Sequence, residues 1–91
     1  MSLTIRIPTQ LRTLTGGAGE VDVEASTVGE ALKALDAANP GLSDRLFDEA
    51  GELRRFVNVF LADEDVRFLQ GLDTPVTAGQ TLSIVPAVAG G

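Results

Sequence analysis

The chain has 91 residues, 44% of them hydrophobic, and carries a net charge of −6 with no cysteine and no histidine. A chain of this length fills one hydrophobic core, so we expect a single domain over residues 1–91. The acidic charge argues against nucleic acid or an anionic membrane surface as the partner, and the missing side chains exclude disulfides, thiolate metal sites and the commonest general base.

The composition therefore favours a protein that works through protein partners and is not an enzyme by itself. No apolar run reaches transmembrane length, and residues 1–7 lack the apolar stretch of a secretory signal. We expect a cytoplasmic chain that is monomeric when free and binds no metal or cofactor of its own.

Alternation of apolar and polar residues predicts two strands near the start of the chain. The first covers residues 3–7, and the second begins at residue 20. They are expected to form a hairpin. Its connection, residues 8–19, is long for a hairpin, and we expect Leu11 and Leu14 to turn inward.

The next segment, from Thr27 to Glu30, has the pattern of a capping box, in which the Thr27 hydroxyl accepts from the Glu30 amide and the Glu30 carboxylate reaches back. A helix is predicted to start there, and Asn39-Pro40-Gly41 ends it. Its apolar face is predicted to consist of Val28, Ala31, Leu32, Leu35 and Ala38.

Residues 42–47 suggest a further helical turn, and residues 54–62 predict the longest strand. A solvated turn over residues 63–65 is predicted to lead into a short return strand over residues 66–68. Three consecutive acidic residues in a tight turn cannot all face one cation, so we expect no metal site there. The last strand is predicted over residues 81–85.

This order of elements is that of an α+β protein with a β-grasp (ubiquitin-like) fold. Burial of the first and last strands places them side by side and parallel, joined through a right-handed crossover. We expect a mixed sheet of four to five strands with one main helix on one face. Residues 86–91 are expected to form a flexible, extended tail.

Two stretches carry a resemblance to a known family. They are FVNVFLADEDVR over residues 56–67 and the ending VPAVAGG over residues 85–91. With the strand order, they resemble the ubiquitin-like prokaryotic sulfur carriers of the ThiS/MoaD family, most closely the CysO type.

The resemblance implies chemistry at the carboxylate of Gly91. An E1-like partner using ATP and Mg adenylates it, and sulfur then replaces one oxygen to give a thiocarboxylate. In the CysO type the sulfur goes to an activated serine derivative on a PLP-dependent cysteine synthase, and a metal-dependent peptidase releases the new cysteine. The chain would thus be a protein co-substrate that donates sulfide.

The tail suits delivery into a partner's active site. Six residues span at most roughly 20 Å when extended. Glycines at Gly90 and Gly91 have no Cβ, so their backbone can pass close to enclosing walls. We assign the reactive group to Gly91 and the passage through the partner to Pro86, Ala87, Val88, Ala89 and Gly90.

A docking surface is predicted beside the tail, because Phe56, Phe60 and Val85 fall on the sheet face that the helix leaves uncovered. The alternative is that residues 8–19 fold over this face.

Other functions stay open. The chain has the pattern expected of the small subunit of molybdopterin synthase, of a sulfur donor to another metabolite, cofactor or tRNA, or of a ubiquitin-like modifier joined to lysines. The sequence does not identify the acceptor, because partner enzymes make that choice.

Overall fold

The computed structural model describes residues 2–55 and 57–86, with the backbone alone at Pro86. Three 3-10 helices within these residues cover Thr9–Thr15, Val66–Phe68 and Gly71–Asp73. The strands and α-helices are β1 (Ser2–Arg6), β2 (Glu20–Glu24), α1 (Val28–Ala38), α2 (Ser43–Leu46), β3 (Val57–Leu61), β4 (Glu64–Asp65) and β5 (Thr81–Pro86).

The strands of the described residues form one mixed sheet in the order β2-β1-β5-β3-β4. β1 pairs antiparallel with β2 and parallel with β5, and β3 pairs antiparallel with β5 and with β4. The first and last strands thus lie side by side at the centre of the sheet. This arrangement confirms the predicted α+β, β-grasp fold.

The core lies between α1 and one face of the sheet, here called the inner face. On α1, the side chains of Val28, Ala31, Leu32 and Leu35 are fully buried. Ala38, predicted to belong to this face, is exposed at the end of the helix. The strands contribute alternate residues, including Leu3, Ile5, Val57, Val59, Leu82 and Ile84.

The predicted capping box starts α1. The Thr27 Oγ1 accepts from the Glu30 backbone N–H at 3.2 Å, and Glu30 Oε1 accepts from the Ser26 N–H at 2.9 Å. The first bond satisfies an amide that the first turn of a helix leaves without a partner, and the second ties the Glu30 side chain to the residue before the N-cap. The local sequence therefore fixes where α1 begins.

The connection between β1 and β2 is also ordered as predicted. Leu11 is buried in the core, and Leu14 is partly buried and packs against the core. The prediction of inward-turned leucines is confirmed, and the 3-10 helix Thr9–Thr15 accounts for the length of the connection.

The predicted return strand over residues 66–68 is wrong, because the chain reverses earlier. Ala62 takes a φ of 56°, and β4 pairs at once with Phe60 and Leu61. The carboxylate of Asp65 then accepts from the Arg67 N–H at 2.9 Å and starts the 3-10 helix Val66–Phe68. The helix buries Val66 and leaves Phe68 86% exposed.

Candidate functional site

The candidate site is the end of β5, where the predicted tail leaves the sheet. The register with β1 covers Thr81 to Ser83, whereas the register with β3 continues to Pro86 opposite Val57. Within the described residues, Val85 and Pro86 are therefore paired with β3 and not with β1. The start of β3 is the part of the sheet that lies opposite the end of β5.

Pro86 is the last residue of β5, so the strand is one residue longer than predicted. The Ala62 N–H donates to the Thr81 carbonyl at 3.1 Å, and hydrogen-bonded pairs alternate along an antiparallel ladder. Asn58 and Val85 therefore exchange hydrogen bonds, whereas Val57 and Pro86 do not. Proline lacks an N–H, and at this position it costs no bond with β3.

The opposite side of the sheet, here called the outer face, has one row of side chains running across all five strands. The register places Glu20, Arg6, Ser83, Phe60 and Asp65 in line. Arg6 Nε lies 3.6 Å from Glu20 Oε2 at one end of the row. Phe60 is thus an apolar position in a row that ends in a carboxylate on either side.

The predicted docking surface is described at two of its three residues. Val85 is 43% exposed and Phe60 is half-buried. Because Phe60 lies opposite Ser83, Phe60 and Val85 are diagonal neighbours on the outer face, within reach of an aromatic ring. Phe56 lies outside the described residues.

The alternative cover for this face, residues 8–19, lies on the other side of the molecule. Leu11 packs in the core with the residues of α1, and Leu14 Cδ2 is 3.8 Å from the position of a Cβ added at Gly41. Gly41 follows the end of α1, so this connection packs on the helix side of the sheet. The alternative is therefore wrong.

Sequence reasoning gave Arg67 no role. Its guanidinium donates to the carbonyls of Arg54 and Val57 at 2.6 and 2.8 Å, and to Asn58 Oδ1 at 2.8 Å. These acceptors lie at and just before the start of β3. Arg67 and these acceptors are nine to thirteen residues apart in the sequence. A local sequence pattern therefore could not predict the contacts.

Ala87, Val88, Ala89, Gly90 and Gly91 lie outside the described residues, so their roles remain predictions. Over residues 2–55 and 57–86, no three acidic side chains come together in a way that could hold a metal ion. In the same part of the chain, no helix has the length and apolar character needed to cross a membrane.

Comparison with known proteins also covers the residues after Pro86. The ThiS family pattern matches residues 5–91. The chain is 46% identical over 93 residues to the sulfur carrier protein CysO of Mycobacterium tuberculosis, with all of both chains covered. It is 36% identical over 94 residues to small archaeal modifier protein 3 of Haloferax volcanii, again with all of both covered.

A solved structure shares the fold. The Amycolatopsis orientalis BexX/CysO complex includes a chain that matches with a TM-score of 0.92 and 47% identity, covering 98% of this chain and 99% of that chain. In that complex a similar chain is bound to a partner protein.

Proposed function

The chain belongs to the ThiS family, as its sequence indicated, and on that premise we propose that it carries sulfur on the carboxylate of Gly91. The observation that carries this proposal is that the family match runs to the last residue, Gly91. The chain has no cysteine, so no side-chain thiol is available to hold a transferable sulfur. Its terminal carboxylate is the group left for that purpose.

The proposed reaction begins with activation, because a carboxylate is a poor electrophile. An E1-like partner binds ATP and Mg, and an oxygen of the Gly91 carboxylate attacks the α-phosphorus while pyrophosphate leaves. Hydrosulfide supplied by the partner then attacks the acyl carbon and loses its proton. AMP departs with one of the original carboxylate oxygens, and a thiocarboxylate remains on Gly91.

The folded domain presents this group to successive partners. The tail after Pro86 begins beside the start of β3, next to Val85 and its diagonal neighbour Phe60. We place partner docking on this part of the outer face, at Val85 and Phe60. Apolar contact there would hold the domain while residues 87–91 enter the partner's active site.

For the acceptor, we propose a cysteine synthase that holds PLP and an activated serine derivative. The thiocarboxylate sulfur displaces the leaving group of that derivative, and an acyl shift from sulfur to nitrogen leaves cysteine in amide linkage to Gly91. A metal-dependent peptidase then hydrolyses the amide and regenerates the carrier. The similarity to the CysO protein of Mycobacterium tuberculosis supports this acceptor over others.

A second function, attachment to lysines of other proteins, is favoured by the 36% identity to a small archaeal modifier protein. It uses the same acyl adenylate but ends in an amide. Because residues 68–91 contain neither lysine nor arginine, trypsin would leave this whole segment on each modified lysine. Detection of this segment on lysines of cellular proteins would show modification. If the segment is not found there, sulfur transfer remains as the proposed function.

The activation step can be tested by ATP–pyrophosphate exchange with the adenylating enzyme of the source organism. The intact chain should support exchange. A variant with one residue added after Gly91 should support none, because its terminal carboxylate is displaced from the reacting position. Exchange by the extended variant at the rate of the intact chain would contradict the proposal.

A further inference from the structure

Arg67 is held in place at both its backbone and its side chain. Its N–H donates to Asp65 Oδ1 at 2.9 Å, which anchors the residue just after β4. Its guanidinium reaches the start of β3 and donates to two carbonyls, those of Arg54 and Val57, and to the side-chain oxygen of Asn58. One side chain therefore ties the end of the β3–β4 hairpin back to its beginning.

This contact fills a gap in the sheet. β4 pairs with Phe60 and Leu61, so it does not extend along β3 as far as Val57 within the described residues. The Val57 carbonyl points away from β5, since Val57 and Pro86 do not exchange hydrogen bonds. Arg67 donates to this carbonyl at the edge of the sheet, where a longer β4 would have supplied an N–H.

Val57 and Asn58 are also the residues that lie opposite Pro86 and Val85 at the end of β5. A contact that fixes the start of β3 therefore also fixes the strand end paired with it, the end of β5. A planar guanidinium can reach several acceptors at set angles, whereas a lysine ammonium presents a single point of charge. The Arg67 guanidinium reaches its three acceptors in this way, through two of its nitrogens.

We propose that Arg67 is a positioning residue for the activation of Gly91, acting through the start of β3 to hold Val85 and Pro86 at the end of β5. This inference rests on the proposed function. With the end of β5 held in place in the free protein, less conformational freedom is lost when a partner binds there. Arg67 need not touch the partner's reacting atoms.

The test compares Arg67→Met and Arg67→Lys with Arg45→Met as a matched control. Arg45 is exposed on α2, outside the β3–β4 hairpin, so its replacement makes the same change of charge without altering a residue of that hairpin. Two quantities are measured for each folded variant: the KM and kcat for the carrier in ATP–pyrophosphate exchange, and the amide hydrogen exchange rates of Val57 and Asn58.

Arg67→Met should raise the KM about three- to tenfold, as expected for one or two lost hydrogen bonds, and leave kcat unchanged. The Val57 and Asn58 amides should exchange faster. Arg67→Lys should raise the KM by less than Arg67→Met does, but should not restore the wild-type KM. It is the variant to use if Arg67→Met does not fold. Arg45→Met should match the wild type.

A wild-type KM in both Arg67 variants, with faster amide exchange at β3, would reduce Arg67 to a structural residue and overturn the inference. A fall in kcat at constant KM would also overturn it, because that result belongs to a group acting at the reaction centre. If the wild-type chain itself supports no exchange, the proposed function fails, and this inference falls with it.

Discussion

The inner and outer faces of the sheet differ in how deeply their side chains are buried. On the inner face, Val59, Leu82 and Ile84 are at most 3% exposed and pack in the core with α1. On the outer face, Val85 is 43% exposed and its neighbours include polar side chains. Alternation along each strand thus directs one set of residues towards the core and the other set towards the outer face.

The difference between the faces predicts that their substitutions separate into two classes. Inner-face substitutions should lower stability, and activity should follow only through loss of folded protein. Outer-face substitutions should change partner kinetics at nearly constant stability. Both classes can be sampled on β5, where neighbouring residues point in opposite directions.

The largest effect on stability is expected on the inner face of β5. Leu82 is fully buried, so Leu82→Ala should lower the free energy of unfolding by about 2–5 kcal/mol through lost contacts and a residual cavity. The measurement is urea denaturation followed by circular dichroism. Ser83→Ala, one residue along on the outer face, is the control and should change stability by less than about 1 kcal/mol. Equal losses in the two variants would remove the distinction between the faces.

A smaller effect, on partner kinetics, is expected on the outer face. Because Val85 is 43% exposed, Val85→Ser should lower stability by less than about 1 kcal/mol, yet raise the KM for the activating enzyme about three- to tenfold. Phe68→Ser is the comparison, since Phe68 is 86% exposed but lies on the 3-10 helix after β4. A larger KM increase for Phe68→Ser than for Val85→Ser would move the docking surface off the sheet.

The smallest effect is expected from the ion pair at the β2 end of the outer face. The side chains of Arg6 and Glu20 are 65% and 61% exposed, and their charged atoms are 3.6 Å apart. Solvent screens such a pair, so a double-mutant cycle with Arg6→Gln and Glu20→Gln should give a coupling energy below about 1 kcal/mol. A larger coupling would show that the outer face also stabilises the fold.

Most of the fold could be predicted because its signals are local. The alternation in β1 and β2 and the Thr27–Glu30 capping box each lie within a few residues, and both are present as expected. The parallel pairing of β1 with β5 followed from the need to bury both strands.

The errors lie where local patterns compete with contacts distant in sequence. Val66 and Phe68 alternate with Arg67 as in a strand, but the Asp65 cap and the Arg67 contacts to the start of β3 favour a 3-10 helix. The role inferred for Arg67 depends on acceptors nine or more residues away. The predicted tail residues beyond Pro86 rest on the sequence and on the family match.

The most direct test for sulfur on Gly91 is the mass of the tryptic peptide covering residues 68–91, after isolation of the chain from its own host. This peptide contains no methionine and no cysteine, so oxidation or modification of a sulfur side chain cannot imitate the product. We expect a population in which one oxygen is replaced by sulfur, and fragmentation should place the change on Gly91. A peptide bearing only the ordinary carboxylate, from cells with an active adenylating enzyme, would contradict this expectation.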